Sequence, residues 1–313
     1  MKFNRQTFVA SLLLAAFLFA GSFSNLAIAQ NSPKLKKRVA VLTFEDKTSQ
    51  PFSYGFVGKD AGDAFAEMLT TALVKSGEYI VIERNELNQL LQEQAIGAAG
   101  ITTQQTAVQA GQVLGAELVV FGVVSEFGFS QQTTDVNTRK LGVGLDNSKA
   151  TVAVDVRIVD PATSEIIAAE DIRESKSKKG VSLRTRKVDI GSRNKFDESI
   201  VGKAARDAVD GAAKLLSKNA QNVRWQAKVI TMNGGDVFIN AGEKSGVQVG
   251  NRFAIYRAGE ALIDPDTGLN LGSVESKIGE IEVVDNQVGE GKAAKCRIVD
   301  GSSFERGDLV RVD

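Results

Sequence analysis

The 313-residue sequence contains no histidine and only one cysteine, Cys296. Histidine is the side chain that most often acts as a general base near neutral pH, and its imidazole is the commonest metal ligand. A single cysteine cannot form an internal disulfide bond, and the apolar alternation around Cys296 predicts a buried, unreactive thiol. We therefore expect a protein that is not an enzyme, with no catalytic residue, no cofactor and no metal site.

Neither sign of charge is in excess, since 38 Lys and Arg residues stand against 38 Asp and Glu residues. Two of the basic residues, Lys2 and Arg5, lie in an N-terminal leader that has no acid, so the rest of the chain has a net charge near −2. Such a chain has no general electrostatic attraction to nucleic acid. We therefore expect no nucleic acid among its partners.

The leader, residues 1–29, has the three parts of a secretory signal peptide. Its basic start is followed by an apolar run, Phe8–Ala20, which is shorter than the about 20 residues that a spanning helix needs. Ala27-Ile28-Ala29 then fits a cleavage site before Gln30. A retained anchor helix is the alternative. We expect cleavage near Ala29 and a periplasmic or outer-membrane-associated protein that is not a lipoprotein, because no cysteine follows the run.

After a linker over residues 30–37, residues 38–220 carry the pattern of an α+β or α/β domain. Short β-branched runs predict buried strands, and apolar residues at helical spacing predict helices. Strands that alternate with helices of this length are typical of an α/β domain. The predicted strands are Arg38–Phe44, Tyr79–Ile82, Leu118–Val124, Thr151–Val159 and Glu165–Arg173, and the predicted helices are Ala61–Lys75, Arg84–Ala95, Thr103–Leu114 and Asp197–Leu216.

Residues 224–313 form a second predicted domain, a small all-β unit that is barrel-like or a sandwich. Short apolar stretches recur there between turns that contain glycine, asparagine or Asp-Pro, and such spacing is typical of these folds. The stretches are Ala227–Thr231, Asp236–Asn240, Arg252–Tyr256, Lys277–Val284, Ala293–Val299 and Asp308–Val312.

The first domain resembles the CsgG family, named for the curli production assembly and transport component. The resemblance runs from about Arg38 to Leu216 and depends on an ordered set of short motifs. They are Val39-Ala40-Val41, Phe44-Glu45-Asp46-Lys47-Thr48, Ile82-Glu83-Arg84, Leu90-Leu91, Gly97, Gly100, Thr106-Ala107-Val108, Gly111, Leu114-Gly115-Ala116 and Val119-Val120-Phe121-Gly122. The resemblance implies a three-layer α/β domain with β-hairpin insertions.

The second domain is similar to the C-terminal domain of the flagellar protein FlgT. The matching residues are Asp236–Asn240, Gly246–Phe253, Ile278–Ile281 and Gly307–Val310. FlgT-like proteins are envelope components, so the two resemblances imply the same compartment.

In the CsgG-type pore, subunits form a ring, and each contributes two β-hairpins to one outer-membrane barrel. The resemblance places these hairpins at insertions over residues 127–150 and 175–195, each long enough for two strands of about 10 residues. Some of their residues alternate as a lipid-facing strand requires, and these candidate membrane or partner contacts are Leu141, Val143, Leu145, Val181 and Leu183.

Other parts of the insertions lack that alternation. Residues 131–140 do not alternate, and residues 175–195 hold many basic residues against one acid, Asp189. Lysine and arginine at the bilayer midplane cost about 2–4 kcal/mol each. Solvated hairpins or loops are therefore the alternative. The basic run could also contact anionic lipid headgroups.

The family's pores narrow at a loop after the first strand, lined by aromatic and amide side chains. The corresponding loop here is Asp46–Lys59, in which Tyr54 takes the position of the family's constriction tyrosine and Phe56 that of a second aromatic. No asparagine accompanies them, and the loop is shorter than in the curli pore. The alternative is that these aromatic residues pack the loop onto the domain.

Together these features predict a non-enzymatic cell-envelope protein of the CsgG type. We expect a ring-forming subunit of an outer-membrane secretion channel that acts in the assembly or export of surface structures. Its expected partners are copies of itself and envelope or surface-structure proteins, with outer-membrane contact. The alternative is a soluble periplasmic scaffold or binding module, a flagellar or envelope accessory protein without a pore.

Overall fold

The computed structural model describes residues 34–48, 60–82, 115–138, 141–182, 199–266 and 270–312. Its strands are β1 (Lys37–Asp46), β2 (Tyr79–Ile82), β3 (Leu118–Thr138), β4 (Leu141–Asp160), β5 (Glu165–Ser182), β6 (Gln226–Asn233), β7 (Asp236–Ile239), β8 (Arg252–Ile263), β9 (Asn270–Gln287), β10 (Ala293–Gly301) and β11 (Leu309–Arg311). Its helices are α1 (Ala61–Ser76), α2 (Ile200–Ala220), a 3-10 turn (Glu243–Ser245) and the four-residue turn α3 (Val288–Gly291).

Five strands form one mixed sheet in the order β2-β1-β3-β4-β5. β1 runs parallel to β2 and β3, whereas β3, β4 and β5 are successive antiparallel strands. Both faces of β1 are buried, with Val39 and Ala40 at 0% and 1% exposure, as a continuous apolar run predicts. The mixed sheet, with few helices among the described residues, places this region in the α+β class.

Helices α1 and α2 share one apolar core with the sheet. α1 begins after Asp60, whose carboxylate accepts a hydrogen bond from the amide of Asp63, and it ends as predicted at Gly77, which has a φ of 66°. Gly62 lets α1 approach β1 closely, because a Cβ atom there would overlap the carbonyl oxygen of Phe44. The helix therefore packs directly on the strand backbone.

Two more predicted helices, Arg84–Ala95 and Thr103–Leu114, lie outside the described residues. The three-layer arrangement therefore stays a prediction. Within the described ranges, no helix is both long enough and apolar enough to cross a membrane.

Three strands of the sheet extend well beyond their predicted ends. The predictions Leu118–Val124, Thr151–Val159 and Glu165–Arg173 are too short, since β3, β4 and β5 continue into the two insertions. The added residues are mostly polar, so they carry no apolar pattern that marks a strand. Ladder hydrogen bonds between the strands hold them instead.

The remaining strands form a closed barrel in the order β10-β7-β6-β11-β8-β9. Its core is apolar, with Trp225 stacked on Phe253 at a ring-centroid distance of 5.2 Å. Cys296 is fully buried there, as predicted, and burial raises the pKa of its thiol to about 12. Sheet and barrel belong to one compact unit that starts at Leu35, and their division into two domains stays a prediction, as does the similarity to FlgT.

Candidate functional site

The feature with the clearest functional geometry is an extended ladder formed by β3, β4 and β5. β3 and β4 pair from Val119 opposite Val159 to Thr138 opposite Leu141, with one register shift between Val124 and Glu126. β5 pairs with β4 as far as Ser182 opposite Gly144. The described residues of the first insertion therefore pair as the two strands of a β-hairpin, and the described start of the second adds a third strand to it.

The ladder continues beyond the apolar core of the sheet. Among the side chains that the structure describes, the outermost apolar ones in the core are Phe129 on β3, which is partly buried, Ala150 opposite it on β4, at 0% exposure, and Ile172 on β5. From Phe129 to Thr138 the hairpin extends roughly 9 residues, or about 31 Å at 3.4 Å per residue. A hydrogen-bonded sheet thus projects from the body without a core of its own among the residues whose side chains are described.

The ladder brings some predicted site residues together. Leu145 lies directly opposite Val181 on the neighbouring strand, and Val143 lies opposite Val136. Leu141 starts β4 at the end of the hairpin. Only the backbone of these residues is described, so their contacts stay a prediction. Leu183, Tyr54 and Phe56 lie outside the described residues.

Both ends of the predicted constriction loop are joined by one carboxylate. Asp46 Oδ1 accepts hydrogen bonds from the amide and the hydroxyl of Thr48 at 2.8 and 2.6 Å, and Oδ2 accepts one from the amide of Ala61 at 3.0 Å. Burial alone would raise the pKa of Asp46, but the bonds from Thr48 and Ala61 outweigh it and hold the pKa below its usual range. Asp46 thus fixes where the loop leaves β1 and where it enters α1.

A second feature, at the far end of the sheet, is a cleft of about 620 Å³ between sheet and barrel. Glu117 lines it and is 3% exposed. Its two carboxylate oxygens accept hydrogen bonds from the amide of Arg38 at 2.8 Å and from the amide of Gln226 at 2.9 Å. Burial raises the pKa of Glu117, and these bonds offset the effect only in part. One buried carboxylate therefore joins β1 of the sheet to β6 of the barrel.

The sequence does not predict either carboxylate as a structural joint. Asp46 forms part of a family motif, and its position before a loop and a helix start is a local signal for hydrogen bonds of this kind. Glu117 gives no local signal, because its partners lie 79 and 109 residues away along the chain. Within the described residues, no three His, Cys, Asp or Glu side chains are grouped to hold a metal ion.

Comparison with known proteins identifies relatives of the chain. Residues 20–250 match the family model described as curli production assembly/transport component CsgG, a range that continues past α2 into β6 and β7. Curated proteins of that name from Salmonella typhimurium and Escherichia coli K12 are 27% identical over 146 residues, or 44% of this chain and 53% of theirs. The chain thus matches about half the length of these relatives.

Solved structures show weaker likeness. The LpoB C-terminal domain from Salmonella enterica aligns with a TM-score of 0.30 and 15% identity, over 49% of this chain and 87% of that domain. The hypothetical protein CT253 from Chlamydia trachomatis aligns with a TM-score of 0.36 and 19% identity, over 59% of this chain and 97% of that protein. Scores this low add nothing about the role of this chain.

Proposed function

The chain belongs to the CsgG family of curli production assembly/transport components, and from that premise we propose that it is a subunit of an oligomeric channel in the outer membrane. In this proposal, copies of the chain form a ring, and the projecting ladder of each copy supplies strands to a shared barrel. The channel serves the assembly or export of surface structures, and the protein is not an enzyme. The leader carries the chain across the inner membrane.

The observation that carries the proposal is the length of the unbroken ladder beyond Phe129. A strand of about 31 Å that is tilted by about 45° covers about 22 Å along the membrane normal. The apolar band of an outer-membrane barrel is about 25 Å tall, and about 9 residues is the shortest strand that crosses it. The hairpin therefore comes close to the length that one crossing requires, and a solvated loop has no need for such a continuous register.

A second candidate, a periplasmic scaffold without a pore, is favoured by the sequence of β3. Residues 131–138 lack the alternation of apolar residues that a lipid-facing strand requires. In this case the ladder would be an interaction surface in the periplasm. The two candidates differ in whether purified protein conducts ions across a bilayer and whether it forms a ring.

Shortening the hairpin tests the proposal without touching the core. Replacing Thr133–Asp146 by Asn-Gly joins the paired residues Gln132 and Asn147 through a two-residue turn suited to antiparallel strands. The full protein should form a ring in detergent and conduct ions in a planar bilayer, whereas the shortened variant should fold with the same thermal midpoint and not conduct.

The barrel offers a matched control. Replacing Leu262–Gly272 by Asn-Gly shortens the β8–β9 hairpin between the paired residues Ala261 and Ser273, and conductance should survive. A stable monomer by light scattering, with no conductance from the full protein, would reject the channel and favour the scaffold.

A further inference from the structure

The strand register divides the projecting ladder into two chemically different faces. Residues that pair across the strands form a row and share a face of the sheet, and successive residues of a strand alternate between the faces. Val136 pairs with Val143, and Leu145 pairs with Val181. One face, which we call the outer face, therefore gathers aliphatic residues from three strands. Beyond Phe129 it holds every valine, leucine and isoleucine of the described ladder, namely Val136, Leu141, Val143, Leu145 and Val181.

The opposite face, which we call the inner face, carries two acids and none of these aliphatic residues. Asp135 on β3 lies opposite Gly144, and Asp146 on β4 lies opposite Gly180. The two acids therefore occupy neighbouring rows of the same face. A glycine in each of these rows adds no bulk beside them. The next row toward the body holds one base, Lys178.

The inner face continues the face of the sheet on which both helices pack. Phe129 and Ala150, at the base of the ladder, pack in the apolar core that α1 and α2 share with the sheet. Phe129 precedes Asp135 by six residues on β3, and Ala150 follows Asp146 by four residues on β4. An even spacing keeps residues of one strand on the same face. The helices and the two acids therefore lie on the same side of the sheet.

The predicted constriction loop is joined to this side as well. The loop leaves the sheet after Asp46, which lies opposite Val124 near the root of the ladder, and it ends at Ala61, where α1 begins. Because α1 packs on the side of the inner face, the second end of the loop lies on that side. A loop that narrows a pore has to reach its lumen, so the position of this end points to the inner face as the lumenal one.

The chemistry of the two faces agrees with this assignment. Ionisable residues within a membrane segment face a partner or water, because contact with lipid costs free energy, whereas a lipid-facing strand carries apolar residues at alternate positions. The three outermost rows of the outer face hold only aliphatic and threonine residues, which suits contact with lipid. These rows are Thr134 with Leu145 and Val181, Val136 with Val143, and Thr138 with Leu141.

We propose that the inner face lines the lumen of the channel and that Asp135 and Asp146 form an acidic tier there that attracts cations. This inference rests on the proposed function, because it requires the shared barrel. In a ring every copy adds both carboxylates at the same depth, and rings of acidic side chains favour cations over anions. Lys178 opposes the tier one row nearer to the body, whereas the ammonium group of Lys176 is paired with Asp207 of α2.

Cysteine accessibility tests which face meets water. Cys296, the only cysteine, is buried and has a pKa raised to about 12, so the unchanged protein should not react with a charged, water-soluble methanethiosulfonate. Asp135→Cys and Asp146→Cys each place a thiol on the inner face. The matched controls are Thr134→Cys and Leu145→Cys, one residue away on the outer face and paired with each other. Conductance of each variant in a planar bilayer is recorded before and after the reagent is added.

The reagent should remove most of the conductance of both inner-face variants, because every copy then carries an added charged group in the lumen. It should leave the conductance of both outer-face variants as it was. Loss in the outer-face variants alone would overturn the proposal by reversing the two faces. Equal loss at all four positions, or loss at none, would overturn it too, because the faces would not then differ in their access to water.

Ion selectivity tests the acidic tier. Reversal potentials are measured between KCl solutions of unequal concentration for the unchanged protein and for a D135N/D146N variant. The variant should pass relatively more chloride, so its reversal potential should shift toward the equilibrium potential of chloride. A D210N/E260Q variant, which removes two exposed acids of the body, is the control and should keep the original potential. An unchanged potential in D135N/D146N, or an equal shift in the control, would overturn the tier.

Conductance separates this inference from the proposed channel. If the unchanged protein conducts and the reagent acts on the outer-face variants instead, the lumenal assignment is rejected and the channel stands. If the unchanged protein conducts in no bilayer, the channel is rejected and the lumenal face is rejected with it.

Discussion

The sheet and the barrel solve the problem of unpaired strand edges in opposite ways. In the closed part of the barrel every strand is hydrogen-bonded on both sides, so that part has no edge to offer a partner. The sheet is open, and in the described part of the chain β5 pairs only with β4. Its ladder also continues well beyond the core that stabilises it.

This difference indicates where assembly can take place. A closed barrel satisfies its own backbone and needs no further chain for stability. A long open ladder presents unpaired amide and carbonyl groups that another strand can use. The comparison therefore predicts that the barrel keeps its fold without contacts from other chains, whereas the sheet depends on contacts from elements outside it. The changes below probe that comparison, from the largest expected effect to the smallest.

The largest effect is expected at the contact between α1 and the sheet. In a Gly62→Ala variant the new methyl group would overlap the carbonyl oxygen of Phe44, which is backbone and cannot rotate away. We expect a loss of about 3–5 kcal/mol in the free energy of unfolding, as for severe overpacking. Urea denaturation followed by far-UV circular dichroism measures it.

Gly211→Ala is the matched control in α2. There the new methyl group would meet the Cγ2 methyl of Ile172 at 3.0 Å, a side-chain contact that a shift of a few tenths of an ångström can relieve. Alanine also has the higher helix propensity by about 1 kcal/mol, so the stability should change by less than about 1 kcal/mol. Equal losses at both glycines would show that the backbone overlap at Gly62 is not what limits substitution.

The next effect is expected at the joint between the two regions. Glu117→Ala leaves the amides of Arg38 and Gln226 without their acceptor, and two buried unpaired donors cost about 2–4 kcal/mol in total. Fluorescence of Trp225, the only tryptophan, reports on the barrel, and circular dichroism reports on the helices beside the sheet. The two urea transitions should coincide in the unchanged protein and separate in the variant.

Arg38→Gln is the control for this joint. It keeps the amide that bonds to Glu117 and removes only an ion pair whose nitrogen and oxygen lie 4.0 Å apart, so the loss should stay below about 1 kcal/mol.

Because burial raises the pKa of Glu117, the folded state holds the proton of its carboxyl group more tightly than the unfolded state. Stability from this group therefore falls as pH rises from the ordinary glutamate pKa to the raised one, a dependence that Glu117→Ala should lack.

Much of the core was predictable from the sequence because apolar periodicity marks it. The strand Tyr79–Ile82 and the start of α1 at Ala61 match their predictions, and Gly77 ends α1 as expected. Each barrel strand overlaps a predicted apolar stretch. These elements are local patterns that bury one face or both, which is what periodicity detects.

The ladder and the joints were not predictable in this way. Their structure depends on partners that are distant in the chain, as with Glu117, or on strand pairing between polar residues, as in β3 beyond Phe127. The β8–β9 hairpin shows the same failure, since β8 continues beyond the predicted Arg252–Tyr256 to Ile263. Only the family resemblance indicated that strands would occupy the first insertion.

A moderate effect is expected within the barrel at Asp308. Its carboxylate accepts hydrogen bonds from Arg257 Nε at 3.0 Å, Arg257 Nη2 at 2.8 Å and the amide of Glu305 at 2.7 Å. Asp308→Asn should cost about 1–2 kcal/mol at neutral pH, since charge-assisted bonds are lost. Trp225 fluorescence during urea denaturation measures this loss in the barrel itself.

The pH dependence of that loss has a defined sign. Burial would raise the pKa of Asp308, but the bonds from Arg257 and Glu305 outweigh it and lower the pKa. Its contribution is therefore complete above the ordinary aspartate pKa and is lost as pH falls through the lowered one. The unchanged protein and Asp308→Asn should converge in stability in that acidic range. A constant difference down to the lowest pH would exclude the charge of Asp308 as the cause.

The smallest effect is expected where the sheet meets the constriction loop. In Asp46→Asn one acceptor oxygen remains, so it cannot serve both Thr48 and Ala61, and a loss of about 1 kcal/mol follows. Asp60→Asn is the control, because asparagine caps a helix about as well as aspartate and the Asp60 carboxylate accepts one bond within the described residues, from the amide of Asp63. Proteolysis of the native proteins should quicken within Asp46–Lys59 for the first variant alone. Equal cleavage of both variants would mean that the start of α1, and not Asp46, holds this loop. The stability of the open sheet would then depend on its own elements, as that of the barrel does.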